Sequence, residues 1–131
     1  MTLKQPRLLL VDDEPALADF IASAARECGF EAVLTSDDAV FREQFTLDRP
    51  DVVALDLGMP GMDGVELLRF LADEGFRSPV LIVSGFDRRV LESAFRLGEA
   101  LGLTMVGPLE KPVRLEELEA VLGQLKTALT T

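Results

Sequence analysis

Three aspartates, a serine and a lysine stand where short apolar runs of this 131-residue chain end. Asp12 and Asp13 follow the run 8–11, Asp56 follows 52–55, Ser84 follows 80–83, and Lys111 comes soon after a shorter run near 104–106. A carboxylate at such a position is a competent nucleophile toward phosphorus and can form an aspartyl phosphate. That reaction is mostly positioning and charge neutralisation, supplied by a cation and a lysine beside the equatorial oxygens. It needs no general base, because a carboxylate is already ionised at neutral pH. The chain contains no histidine, which removes imidazole acid/base catalysis, Ser-His and Cys-His nucleophile pairs and imidazole metal sites together.

Each residue also has an ordinary structural reading. Three carboxylates within about 5 Å of one another repel by roughly 3 kcal/mol per pair at an effective dielectric near 20, so protons or a cation must compensate. Mg²⁺ suits an all-oxygen site and keeps waters that a phosphoryl oxygen can replace. Asp12, Asp13 and Glu14 directly precede Pro15, however, and acids at a helix start are capping residues in many proteins. The two roles do not exclude each other. Asp56 has less of an alternative: a charge directly after four aliphatic residues is out of place in a purely structural strand, unless loop amides cap it. A serine at a strand end and a lysine before a proline are commonplace alone, and gain meaning only if the fold brings them opposite the acids. A cis bond at Lys111-Pro112 would turn the lysine toward them. Gly58, Gly61 and Gly64 match neither dinucleotide nor P-loop spacing and read as a tight turn beside Asp56.

Composition narrows the field further. Hydrophobic residues make up 48% of the chain, enough for one full core. The apolar runs are too short for a transmembrane helix, the first residues do not form a signal peptide, and the one cysteine, Cys28, has no internal partner. A cytoplasmic protein is expected. A net charge of -10 argues against direct nucleic-acid binding.

The elements that must position these groups alternate from end to end. Strands are expected at 8–11, 31–35, 52–55, 80–83 and 104–106. Helices are expected at 15–28, about 39–47, 65–74, 88–101 and 115–129, with Gly29 and Gly75 as helix stops. Continuous apolar strands imply burial on both faces, and right-handed βαβ crossovers then give a parallel five-stranded sheet between helical layers. The expected fold is a single three-layer, doubly wound α/β domain over 1–131. Function in such a sheet gathers at the carboxyl ends of its strands, where the five residues lie.

Four segments, LLLVDDEP (8–15), DVVALDLGMPGMDG (51–64), PVLIVSG (79–85) and EKPV (110–113), together resemble the receiver domain of bacterial two-component response regulators. The likeness covers nearly the whole chain. It implies a flavodoxin-like strand order 2-1-3-4-5, Asp56 as phosphoacceptor, and Mg²⁺ held by Asp12, Asp13, Asp56 and the Gly58 backbone carbonyl. It also implies Ser84 and Lys111 on the phosphoryl group. The donor would be a sensor histidine kinase or phosphotransfer protein, and the domain would switch an output domain or partner, catalysing only its own phosphorylation and dephosphorylation. A haloacid-dehalogenase-type phosphatase is disfavoured, because the second Asp of that family falls on Gly58. A receiver-like interaction module that is never phosphorylated is the alternative; it usually lacks the acids or the lysine, and all are present here.

Two features depart from the receiver pattern. Position 108, three residues before the lysine, usually holds a Tyr or Phe that rotates inward on phosphorylation; here it is Pro108. The stretch ALGLTMVGPLEKP (100–112) is similar to receivers that precede EAL-type cyclic-di-GMP phosphodiesterase domains. Because Pro108 has no rotatable ring, signal is expected to leave mainly through movement of the Ser84-Gly85-Phe86 loop. In the helix 88–101, Val90, Leu91, Ala94, Phe95, Leu97, Gly98 and Leu101 span an arc of roughly 160°, wider than one core stripe needs. Either the helix is simply well buried, or one flank, Leu91/Phe95 or Val90/Leu97, faces a partner. Leu115, Leu118, Leu122, Leu125 and Leu129 form a 3-4-3-4 stripe that suits either packing on the sheet or a helical linker.

Overall fold

A computed structural model describes residues 5–57, 64–85 and 88–130. Five strands alternate with five helices: β1 (Arg7–Val11), α1 (Pro15–Glu27), β2 (Glu31–Thr35), α2 (Asp38–Leu47), β3 (Val52–Asp56), α3 (Gly64–Asp73), β4 (Pro79–Ser84), α4 (Arg88–Ala100), β5 (Thr104–Glu110) and α5 (Leu115–Thr130). The strands pair in parallel, as the alternation of elements requires, and stand in the order β2-β1-β3-β4-β5 that the resemblance implies. The order reverses between β1 and β3, which makes that crevice the switch point of the sheet.

Side chains alternate across the pleat and so feed two cores. Leu8, Leu10, Val52 and Ala54 pack with Ile21, Leu118 and Leu122 of α1 and α5. Leu9, Val11, Val53 and Leu55 face the other way, onto Phe41, Phe45, Leu67, Leu68 and Leu71 of α2 and α3. Every residue of β1 and β3 is buried, which accounts for their unbroken apolar runs. The leucine stripe of α5 is core packing: Leu118, Leu122 and Leu125 are buried and Leu129 packs against the same core, with Leu115 left exposed.

Helix ends follow local chemistry. Gly29 and Gly75 stop α1 and α3 with φ of 94° and 69°, a region that glycine enters without steric cost. Asp37 caps α2 by accepting from the Val40 N–H at 2.8 Å. At the amino edge of the sheet, away from the acids, buried Arg7 bonds Asp48 at 3.1 Å and Gln44 at 3.4 Å.

One expectation about elements is revised, and one left open is decided. β5 is seven residues long and runs to Glu110, rather than ending at 106. Val106 and Leu109 pair with Leu81 and Val83, so three steps on β5 match two on β4. The extra residue lies at Gly107-Pro108, where Gly107 takes a φ of 92°. A bulge lets the strand continue past a residue that cannot donate to the ladder, which a strict apolar pattern does not reveal. On α4, Leu91 and Gly98 are buried, Ala94, Phe95 and Leu97 are half-buried, and Val90 is 47% exposed. Burial thus explains most of the apolar arc, and Val90 is the member that faces outward.

Candidate functional site

Asp12 emerges at the end of β1 and is 3% exposed. Its backbone N–H donates to the Thr35 carbonyl at 3.1 Å, which ties the ends of β1 and β2 together. Its Oδ1 accepts the Glu14 N–H at 2.9 Å, forming an Asx turn into α1. Pro15 occupies the first helical position, and Glu14 itself, at the N-cap, makes no side-chain capping bond. The capping reading therefore applies to Asp12 through one oxygen and fails for Glu14.

Asp56 is the last residue of β3 and is 2% exposed. Its register partner is Val83, so Ser84, fully buried, is the next residue along the neighbouring strand. Lys111 follows β5 directly; its N–H donates to the Ser84 carbonyl at 3.0 Å, holding the lysine against the end of β4. The Lys111 ammonium donates to Asp56 Oδ2 at 2.9 Å and to Glu14 Oε1 at 2.7 Å. The Lys111-Pro112 and Gly107-Pro108 bonds are both cis. Gly85 lies beside the lysine, where an added Cβ would stand 3.6 Å from Lys111 Cδ.

The four acids Asp12, Asp13, Glu14 and Asp56 each place a carboxylate oxygen within 4.8 Å of the others. One ammonium cannot balance them. Asp12 registers the strain: burial, and after it the Asp56 charge and a hydrogen bond to Asp56 as the protonated acid, outweigh the Glu14 N–H and Lys111 and raise its pKa to about 6. Its Oδ2 is buried without a hydrogen-bond donor. A buried carboxylate oxygen lacking a donor, on one of four clustered acids, fits a hard divalent cation. Partial burial lowers the Lys111 pKa, but the bonds to Glu14 and Asp56 and the charges of Asp56 and Asp12 overcome it and leave it raised, so the lysine stays charged.

The structure thus brings Asp12, Asp13, Asp56, Ser84 and Lys111 to one end of the sheet. Gly58 and Phe86 lie outside the described residues. Glu14 belongs to the same cluster, where the sequence left capping and cation binding both open for the run of three acids at 12–14. Beside the acids, Ala16, Leu17, Phe20, Pro112 and Val113 line an apolar groove of about 560 Å³ that opens next to Lys111.

Comparison with known proteins agrees with this architecture. Residues 8–123 match the model of the response regulator receiver domain. The chain belongs to that family. It is 34% identical to the probable transcriptional regulatory protein TcrX of Mycobacterium tuberculosis, over 95% of this chain and 52% of that protein. It is 33% identical to TrcR of the same organism, over 91% of this chain and 44% of the relative. The chain therefore spans about half the length of these curated relatives. Among solved structures, a response regulator from Colwellia psychrerythraea is 29% identical, with a TM-score of 0.77 over 95% of this chain and 99% of that one. The chemotaxis protein CheY4 of Vibrio cholerae, at 23% identity and a TM-score of 0.78 over 93% of this chain and 99% of that one, shares the fold. The domain is a signalling module of two-component systems rather than a metabolic enzyme.

Proposed function

We propose that Asp56 accepts a phosphoryl group from a phosphohistidine on a sensor histidine kinase or phosphotransfer protein. The observation that carries this is the placement of a buried carboxylate at the switch-point edge of the sheet, bonded to a charged lysine and flanked by Asp12, whose Oδ2 has no donor. An Asp56 carboxylate oxygen attacks phosphorus, the P–N bond breaks, and its electron pair returns to the donor imidazole. Lys111 offsets charge on a phosphoryl oxygen, and the Ser84 hydroxyl, one residue past the partner of Asp56, donates to another. Mg²⁺, when held by Asp12, Asp13, Asp56 and the backbone carbonyl of residue 58, supplies positive charge beside those oxygens. Hydrolysis reverses the state, so the domain catalyses only its own phosphorylation and dephosphorylation. The apolar groove beside Lys111 offers the donor protein a surface adjoining the acceptor.

Residues 1–131 constitute one receiver unit, which passes its state to an output domain or a partner protein. The greater length of the relatives, two of which are named as transcriptional regulatory proteins, supports an output domain in this role. Incubation with Mg²⁺ and acetyl phosphate tests the reading: wild type gains one hydroxylamine-sensitive phosphate and binds beryllofluoride, and Asp56→Asn does neither. Failure of the wild type in both assays overturns it.

A further inference from the structure

We propose that Glu14 is a positioning residue for Lys111, holding the ammonium over Asp56 before a phosphoryl group arrives. The inference deepens the reading of Asp56 as phosphoacceptor and rests on it. Glu14 occupies the N-cap of α1, yet its side chain does not cap the helix. The helix start is set instead by the Asp12 Asx turn, at 2.9 Å, and by Pro15 at the first helical position, which has no N–H to satisfy. The Glu14 carboxylate turns instead to Lys111, at 2.7 Å, shorter than the 2.9 Å from the ammonium to Asp56.

The geometry gives the lysine three anchors on different elements. Its backbone N–H is fixed to the end of β4, and its ammonium is drawn to α1 by Glu14 and to β3 by Asp56. A lysine side chain carries about 2 kcal/mol of rotamer entropy, and with Asp56 as its one partner that freedom is only partly removed. An ammonium has three donors. Two are engaged here, which leaves the third to meet an incoming phosphoryl oxygen. Glu14 is 60% exposed and Lys111 18%, so the contact closes the open side of the site without burying the glutamate. Phosphorylation makes one Asp56 oxygen the bridging oxygen of an acyl phosphate, removes the carboxylate charge and weakens that anchor; Glu14 then remains as the carboxylate partner that keeps the lysine in reach.

A double-mutant cycle on beryllofluoride affinity, read by 19F NMR at saturating Mg²⁺, tests this for Glu14→Ala and Lys111→Ala. Glu14→Ala is expected to weaken beryllofluoride binding about three- to tenfold when Lys111 is present and by less than about twofold in the Lys111→Ala background. Glu14→Gln, which keeps an acceptor, restores most of the loss. In the metal-free protein, 13C relaxation of the Lys111 ε-methylene reports greater motion in Glu14→Ala. Equal losses in both backgrounds, unchanged lysine motion, or a loss accounted for by weaker Mg²⁺ binding would each overturn the proposal. Absence of beryllofluoride binding by the wild type would instead remove the phosphoacceptor reading itself.

Discussion

Asp12 carries two duties on its two carboxylate oxygens. One turns the chain into α1; the other is buried with no donor. Its pKa of about 6 in the metal-free protein has a definite consequence for cation binding. Mg²⁺ requires the ionised form, so apparent affinity is flat above about pH 6 and falls as pH drops below it, approaching tenfold per unit for one proton. Isothermal titration between pH 5 and 8, values chosen to bracket that pKa, checks this. The sign for stability is opposite to that of a salt-bridged acid. The folded pKa lies above the ordinary carboxyl value of 3.8, so the native state binds a proton that the unfolded chain has released between those two values. Stability of the metal-free protein is therefore lost through this group as pH rises from about 4 to about 6. Asp12→Asn should raise the metal-free melting temperature at neutral pH by a few degrees and flatten that dependence, while removing the response to Mg²⁺. The residue types at 12, 13, 56, 84 and 111 already suggested this chemistry. The role of Glu14 was hidden because its partner lies 97 positions away and the local pattern suggests a cap.

At the scale of elements, β5 is the least regular strand and adjoins the site directly. Its bulge places Gly107 at a φ of 92°, where an added Cβ would stand 3.1 Å from the Leu109 nitrogen and 3.3 Å from the Ile82 carbonyl. Backbone atoms cannot yield as a flexible side chain can. Gly107→Ala should thus destabilise the domain by about 1–3 kcal/mol in urea denaturation, with little change in the m-value. Pro108, next to it, has no rotatable ring, so β5 lacks the usual aromatic signal. Ser84 and Gly85, one and two residues beyond the Asp56 register partner Val83, are the part of the neighbouring strand end that a phosphoryl group would reach. On beryllofluoride binding, amide resonances at Ser84 and Gly85 are expected to shift while a probe at 108 stays nearly constant; a large shift at 108 would refute this route. The length of β5 was not legible from its residues, because an apolar pattern interrupted by Gly-Pro reads as a strand end until the register of its neighbour is known.

Across the whole molecule, acidic charge is both a cost and a means of recognition. A net charge of -10 repels the folded chain against itself, and four of its acids converge on one crevice. Binding of Mg²⁺ should stabilise the fold by about 2.7 kcal/mol at a hundred times its Kd, with NaCl at matched ionic strength giving a smaller rise in melting temperature. No helix among the described residues is long and apolar enough to cross a membrane. The sequence alone determined the order of the elements, the burial of the sheet on both faces and the residue types at the strand ends. Those properties depend on local periodicity and on the rule that parallel sheets are covered on both sides. Only the tertiary structure decided that Asp12 caps while Glu14 does not, that Lys111 bridges α1 and β3, and that β5 bulges past Pro108. The first is a local choice between two carboxylates that spacing leaves open, the second needs an acceptor 97 positions away, and the third needs the register of the neighbouring strand.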